Sequence, residues 1–400
     1  MKKGIAAPFC FVNDFYKSWK RKIERRQISN QGKIRKIMAT ILISTLATGI
    51  LVALYLRLPM FGQLPYGERL ARIEKLPNYR NGKFHNIHET QLMIKNPVWT
   101  VLKFLFENEV RRKPSKPLPT FKTNLHNIGP EENTLIWFGH SSYFVQIDGK
   151  RILVDPLFSS VSSPLFFFPK VFAGTDVYHP EDMPEIDYLI VTHDHWDHLD
   201  YKTVLQLKPK VKMVICPIGV GAHFEYWGFN REKIIEMYWN ENVSLTEDIK
   251  IHCLPARHFS GRGLLRNKSL WASFLLISKG FKIYMGGDSG YDAHYGDIGR
   301  MFGPIDVAIL DSGQHNEKWR HVHMMTDEVI KASRDLRAKI LLPAHICKIS
   351  LAYHPWDEPL IELSRMMKEE KFSIVTPIIG EKVKLKSPPP TVSRWWENLE

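Results

Sequence analysis

The sequence predicts an α/β protein: a four-layer αββα sandwich with metals at one edge of its two sheets, behind an N-terminal membrane anchor. Three observations predict it. Short apolar runs with strand character alternate with helical patterns from residue 134 onward. One such run, Ile186-Asp187-Tyr188-Leu189-Ile190-Val191, opens into Thr192-His193-Asp194-His195-Trp196-Asp197-His198, and imidazole and carboxylate are zinc ligands. Residues 37–58 are apolar and carry no charge but Arg57, and roughly 20 such residues span a bilayer core.

In chain order, residues 1–36 read as a basic cytoplasmic tail and 37–58 as a transmembrane helix. The 400-residue chain carries a net charge of +13, from 55 Lys/Arg against 42 Asp/Glu. Residues 1–58 hold 12 of the basic and 2 of the acidic residues, so the remainder, at 43 against 40, is close to neutral. A nucleic-acid groove needs a basic footprint on the domain itself, so the charge distribution argues against nucleic acid as a partner. Residues 17–36 carry nine Lys/Arg and residues 57–75 carry four. That asymmetry puts the N-terminus in the cytoplasm and the catalytic domain on the exported side. A cleaved signal peptide would have a shorter positive region and a small-residue site close behind it, so a single-pass, uncleaved anchor is expected.

Residues 59–120 read as a helical and loop extension, punctuated by Asn96-Pro97 and Lys113-Pro114-Ser115-Lys116-Pro117. The catalytic domain is set at 121–386. Its expected strands are 134–138 and 143–147 around His140, then 151–154, 186–191, 213–216, 250–254, 273–277, 281–285 and 339–342. Helical patterns fall at 326–336 and 359–371. Residues 387–400, with Pro388-Pro389-Pro390, form a C-terminal tail. Cys10, Cys216, Cys253 and Cys347 follow no disulfide framework and leave the compartment and the role of Cys347 open.

Strand ends supply candidate ligands in series. His193 and His195 suit one metal, Asp197 and His198 a second. Residues 250–254 lead into Pro255-Ala256-Arg257-His258, so His258 completes the first metal. Residues 281–285 lead into Gly286-Gly287-Asp288, so Asp288 bridges both. Residues 339–342 lead into Pro343-Ala344-His345, so His345 completes the second. Two Zn2+ per chain are the expected cofactors. Such a pair lowers the pKa of a shared water toward 7 and can hold the oxygens of a phosphodiester. Asp155 and Asp194 are expected to back the ligands by hydrogen bonding to their imidazoles, with a turn or a loop cap as the alternative for each.

This series resembles the metallo-β-lactamase fold family. Finer matches resemble the branch containing the N-acyl-phosphatidylethanolamine-hydrolysing phospholipase D. They are Trp137-Phe138-Gly139-His140-Ser141-Ser142, Leu153-Val154-Asp155-Pro156-Leu157-Phe158-Ser159-Ser160, Pro255-Ala256-Arg257-His258, Gly287-Asp288-Ser289-Gly290-Tyr291, Phe302-Gly303-Pro304-Ile305-Asp306 and His354-Pro355-Trp356-Asp357-Glu358-Pro359. The likeness covers residues 66–384. It places His140 near the site and His323 where the branch often has a histidine. Either could donate to a phosphate oxygen or protonate the leaving group, so both join Asp288 as candidate catalytic residues; a buried, satisfied histidine is the alternative. His315, His321 and His354 are weaker candidates. Two departures fall near the expected mouth. Residues 311–319 stand where the branch usually carries a Pro-Ile-Gly-Ala-Tyr-like stretch before Pro-Arg-Trp, and Ile346-Cys347 stand where Trp-Gly usually follows the last histidine. Both bear on head-group recognition.

The resemblance and the anchor together imply a membrane-anchored, zinc-dependent phosphodiesterase of phospholipase D type acting on (N-acyl)phosphatidylethanolamine-like phospholipids. Its expected partners are a phospholipid substrate and the membrane, and a homodimer is left open. The apolar loop 163–172 could meet acyl chains or pack as core. The alternatives are a lactonase, thioesterase or nuclease on the same scaffold, or a non-catalytic tethered domain, which has no need of seven ligands.

Overall fold

A computed structural model describes residues 9–90, 111–165, 168–387 and 393–399. The chain forms two compact units, Met1–Leu58 and Pro59–Glu400. In the first, α1 (Phe9–Tyr55) is one 47-residue helix. From Phe9 this one helix runs without a break through the expected tail and most of the expected transmembrane segment at 37–58, and it stops before Arg57. No proline falls between Pro8 and Pro59, so nothing forces a break. The hydroxyls of Thr40, Thr45 and Thr48 donate to the carbonyls of Lys36, Ile41 and Ser44 at 3.0, 2.8 and 2.8 Å, which satisfies these three donors within the helix. The helix is long and apolar enough to cross a membrane over Phe15–Tyr55.

The second unit holds a short hairpin, β1 (Tyr79–Arg80) and β2 (Lys83–Phe84), and two seven-stranded sheets. The first sheet runs, in spatial order, β16 (Lys382–Lys384), β3 (Thr134–Trp137), β4 (Tyr143–Ile147), β5 (Lys150–Val154), β6 (Ile186–Ile190), β7 (Val211–Pro217) and β8 (Ile234–Met237). The second runs β15 (Ser373–Ile374), β14 (Ala338–Ala344), β13 (Ile305–Asp311), β12 (Phe281–Met285), β11 (Ser273–Ser278), β10 (Ile249–Leu254) and β9 (Asn242–Ser244). Pairing is antiparallel from β16 to β5 and from β9 to β12, and parallel beyond.

Period-two alternation sorts the side chains into three apolar layers. Leu135 and Trp137 of β3 meet Ile283 and Met285 of β12 in the core between the sheets. Ile136, Leu153 and Leu189 face outward onto α3 (Tyr201–Leu207) and α4 (Gly221–Tyr226) through Val204, Leu207 and Phe224. On the far side, Tyr284, Ala308 and Leu341 pack against Ile298 of α5 (His294–Phe302), Val329 of α6 (Thr326–Asp335) and Leu363 of α7 (Glu358–Met366). Strands buried on both faces read as continuous apolar runs, which is why they are visible in the sequence. The result is the predicted four-layer αββα sandwich.

The expected extension at 59–120 and the expected tail at 387–400 carry side chains that pack with the expected catalytic domain. Ile73, at the end of α2 (Gly67–Ile73), and Phe84 are fully buried in the inter-sheet core, as is Trp396 from the C-terminal segment. Both segments belong to the unit that begins at Pro59.

Candidate metal centre

In the parallel pairs, Val154 lies opposite Ile190, Met285 opposite Ile309 and Asp311 opposite Ala344. The carboxyl ends of these strands therefore finish together, where open α/β sheets place their ligands. β10 is antiparallel to β11, which is antiparallel to β12, so Leu254 ends β10 on the same side. The loops leaving these ends bring all seven predicted ligand residues into two adjoining groups.

The first group is His193, His195, His258 and Asp288. Nδ1 of His195 lies 2.9 Å from Nε2 of His193 and 3.2 Å from Nε2 of His258. The second is Asp197, His198 and His345, with His140 beside them. Asp288 joins the two. Its Oδ1 lies 3.1 Å from both His198 Nε2 and His345 Nδ1, and its Oδ2 lies 3.8 Å from His193 Nε2 and 3.6 Å from His258 Nε2.

Hydrogen bonds behind the cluster set the tautomers. Thr192 Oγ1 donates to Asp155 Oδ2 at 2.7 Å, so it accepts from His193 Nδ1 at 3.0 Å. His198 Nδ1 donates to Asp155 at 2.8 Å, and His258 Nδ1 donates to the Val322 carbonyl at 3.0 Å. The Nε2 lone pairs of all three then face inward. Burial, reinforced by the neighbouring imidazoles, holds His193 well below the usual histidine range. Burial also holds His258 well below it and brings His195 down to about 4, in both cases against the pull of nearby carboxylates. Neutral imidazole is the metal-binding form. His198 Nε2, His345 Nε2 and Asp288 Oδ1 are buried without a hydrogen-bond partner. Buried polar atoms normally find partners, and imidazoles gathered about one buried carboxylate are the donor types zinc takes, so the donor set fits metal ions.

The supporting residues divide. Asp155 accepts from His198 and from both the amide and hydroxyl of Thr192, which is the backing role expected of it. The expectation for Asp194 is corrected to its alternative. Its carboxylate accepts from Ser269 Oγ and the Gly261 amide at 2.6 Å each, with His223 Nε2 at 3.2 Å. The carboxylate caps a neighbouring loop through these bonds. His140 is fully buried, and its Nε2 lies 2.8 Å from Asp197 Oδ2. Its imidazole stands behind Asp197, one of the seven expected ligands. His323 donates from Nδ1 to Asp311 Oδ2 at 2.8 Å, and its ring stacks on His345 at 5.1 Å. It groups with Asp288 and His345. His315 and His354 pair with each other away from the seven. Cys347 is buried and, among the described residues, belongs to no ligand group. In loop 163–172, Leu165 is exposed and Phe172 lies in the core, while Phe166 and Phe167 fall outside the described residues.

Left-handed non-glycine positions at this edge include His140, Asp155 and His345, with φ of 54°, 40° and 63°. Such strain persists where surrounding contacts enforce it, and it gathers at functional sites. Asp311 and Arg262 escaped sequence reasoning. Asp311 closes a strand, as Asp155 and Asp288 follow theirs, and that shared position is the clue that could have found it.

A family pattern described as Beta-lactamase superfamily domain matches residues 150–346. An uncharacterized protein of Mycobacterium tuberculosis is 33% identical over 334 residues, 81% of this chain and 88% of that protein. An N-acyl-phosphatidylethanolamine-hydrolyzing phospholipase D of Caenorhabditis elegans is 30% identical over 227 residues, 52% of this chain and 62% of that protein. A possible metal-dependent hydrolase from Veillonella parvula shares the fold at a TM-score of 0.51 and 13% identity, over 64% of this chain and 100% of that one. With the αββα architecture and the strand-end His/Asp cluster, these likenesses establish that the chain belongs to the metallo-β-lactamase superfamily.

Proposed function

We propose that this protein is a metal-dependent hydrolase, and specifically a membrane-anchored dinuclear zinc phosphodiesterase of phospholipase D type. The observation that carries the reading is Asp288, which offers one carboxylate oxygen to each of two ligand groups. His193, His195 and His258 would hold one zinc, Asp197, His198 and His345 the other. Zinc ions held there supply a water of lowered pKa and a positive clamp for phosphodiester oxygens. The chain's own residues do the rest. Asp155 and His140 fix the orientation of His198 and Asp197. Asp311 fixes the His323 ring through Nδ1, which leaves Nε2 to hand a proton to the departing head-group oxygen. The reaction adds water across the distal phosphodiester bond, giving phosphatidic acid and the free alcohol.

Phospholipid as substrate is supported by the likeness to the nematode phospholipase D over half the chain and by a helix of membrane-crossing length and apolarity. Residues 311–319, which depart from the branch pattern, bear on the choice of head group. The full-length protein in detergent is expected to hold close to two zinc equivalents at the seven-ligand centre and to release phosphatidic acid from a defined phosphatidylethanolamine or its N-acyl form. Asp288→Asn should abolish the release and leave the circular dichroism spectrum unchanged. Fast opening of lactones or thioesters, with no phosphatidic acid from any lipid, would replace this reading with another hydrolase activity on the same scaffold.

A further inference from the structure

His315 and His354 lie outside the seven-ligand cluster and have no part in the chemistry above. Their meeting is built. Gln314 Nε2 donates to the Ile349 carbonyl at 2.9 Å, and its Oε1 accepts from the amides of Leu351 and Ala352 at 2.6 and 3.2 Å. This clamps the loop after β14 onto the loop after β13 and stacks the two imidazoles, with centroids 4.5 Å apart and planes 18° from parallel. Glu358, the first residue of α7, lies one helical turn beyond His354 and brings its Oε2 to 3.8 Å from His354 Nδ1.

The three side chains leave polar atoms unanswered. His354 Nδ1 lies 2.7 Å from the Pro355 carbonyl and must donate to it, so its Nε2 carries a lone pair. That Nε2, His315 Nδ1 and Glu358 Oε2 are all buried without a hydrogen-bond partner. His315 and His354 are only 4% and 9% exposed. One donor atom from each of the three residues lies within 4.8 Å of the others. Buried polar atoms normally find partners, and two imidazoles and a carboxylate that gather with unanswered polar atoms are a donor set for a cation. The charge around them agrees. Burial and the neighbouring carboxylates Glu362 and Asp357 push the Glu358 carboxyl up, and that crowding of negative charge disfavours an anion. Burial also keeps both imidazoles neutral, His315 down to about 3, which is the form that binds metal.

We propose that His315, His354 and Glu358 form a third cation site, distinct from the seven-ligand centre, that takes a divalent transition metal of the zinc type. Two imidazoles and a carboxylate suit zinc, cobalt or nickel better than calcium or magnesium. The Pro355 carbonyl orients His354 as a second-sphere acceptor does for a ligating histidine. Three protein ligands leave a position open to water or a substrate oxygen, and the one-third-exposed Glu358 side chain gives access from solvent. Metal held there ties the loop that leads from His315 to His323 to the start of α7.

The test uses full-length protein in detergent, loaded with zinc or cobalt and desalted before elemental analysis. The parent is expected to hold three equivalents and His315→Ala or His354→Ala two. The double variant His195→Ala/His198→Ala, which removes one ligand from each group of the dinuclear centre, separates this proposal from the dinuclear reading: it should hold one equivalent, lost when His354→Ala is added. Glu358→Gln, a near-isosteric change, should weaken that equivalent by about tenfold or more and shift the cobalt visible spectrum of the double variant. A third equivalent that survives in His315→Ala/His354→Ala, or a parent that holds no equivalent sensitive to His354→Ala or Glu358→Gln, would overturn the proposal.

Discussion

Arg262 is one cation holding the loop that carries four candidate ligands. Its Nη1 donates to the carbonyls of Asp194 and Leu199 at 3.1 and 2.6 Å, and its Nη2 and Nε donate to that of Met60 at 3.0 and 3.2 Å. The guanidinium lies over the Trp196 ring at 4.1 Å. Burial brings it down to about 10, so it stays charged at neutral pH. Arg262→Met would keep the apolar volume and strand three carbonyls. Each stranded buried acceptor costs about 1–3 kcal/mol, so a loss near 3 kcal/mol in urea unfolding is expected, with weaker zinc retention against a chelator. Parental stability and retention would show that the loop holds itself. The ligands were legible because their chemistry is local: four of seven fall between His193 and His198, and the rest follow obvious strands. Arg262, Asp311 and the loop-capping role of Asp194 were not, because their partners lie 63 and 68, 12, and 29 to 75 residues away.

The same contrast holds for elements. Strands buried on both faces announce themselves, whereas β8, β9, β15 and β16 are edge or near-edge strands of two to four residues with too few positions to show a period. The length of α1 was hidden because its basic half has no apolar periodicity to report. One junction between elements makes a sharp prediction. Gly287, leaving β12, has φ +59°, and a Cβ there would lie 2.9 Å from Thr192 Cβ, beyond the end of β6. Gly287→Val would meet both a disfavoured backbone and a wall. Pushing Thr192 away breaks its two bonds to Asp155, which itself holds His198. A loss of about 3 kcal/mol on thermal unfolding is expected, with metal retention falling in the same variant. Gly287→Ala should be milder, and equal effects would mean that the backbone conformation and the Cβ contact decide without the valine methyls.

For the whole molecule, the question is where the folded catalytic unit begins. Charge divides the chain near residue 58, since the first 58 residues carry most of the net positive charge, and the two compact units divide there as well. The sequence-based boundary at 121 lies inside a packed body. Ile73 and Phe84 fill the inter-sheet core, and Arg69 bridges Glu225 and Glu236 at 2.8 Å each. The Arg69 and Glu236 side chains are 6% and 5% exposed. Removing the cation would leave a buried carboxylate, which costs about 3–5 kcal/mol; the low end applies because Arg231 still reaches Glu236 at 3.0 Å. A chain of residues 59–400 is therefore expected to be soluble, cooperatively folded and metal-loaded, while residues 121–400 should aggregate or unfold. Arg69→Met in the longer piece separates the ion pair from the apolar contacts and should lower the urea midpoint without changing metal stoichiometry. Anchoring is tested apart from folding: a reporter that works only outside the cytoplasm, fused after Glu400, should be active in the full chain and silent in 59–400. Activity in both would mean that residues 1–58 do not direct export, and a stable 121–400 would mean that the extension is dispensable despite its buried side chains.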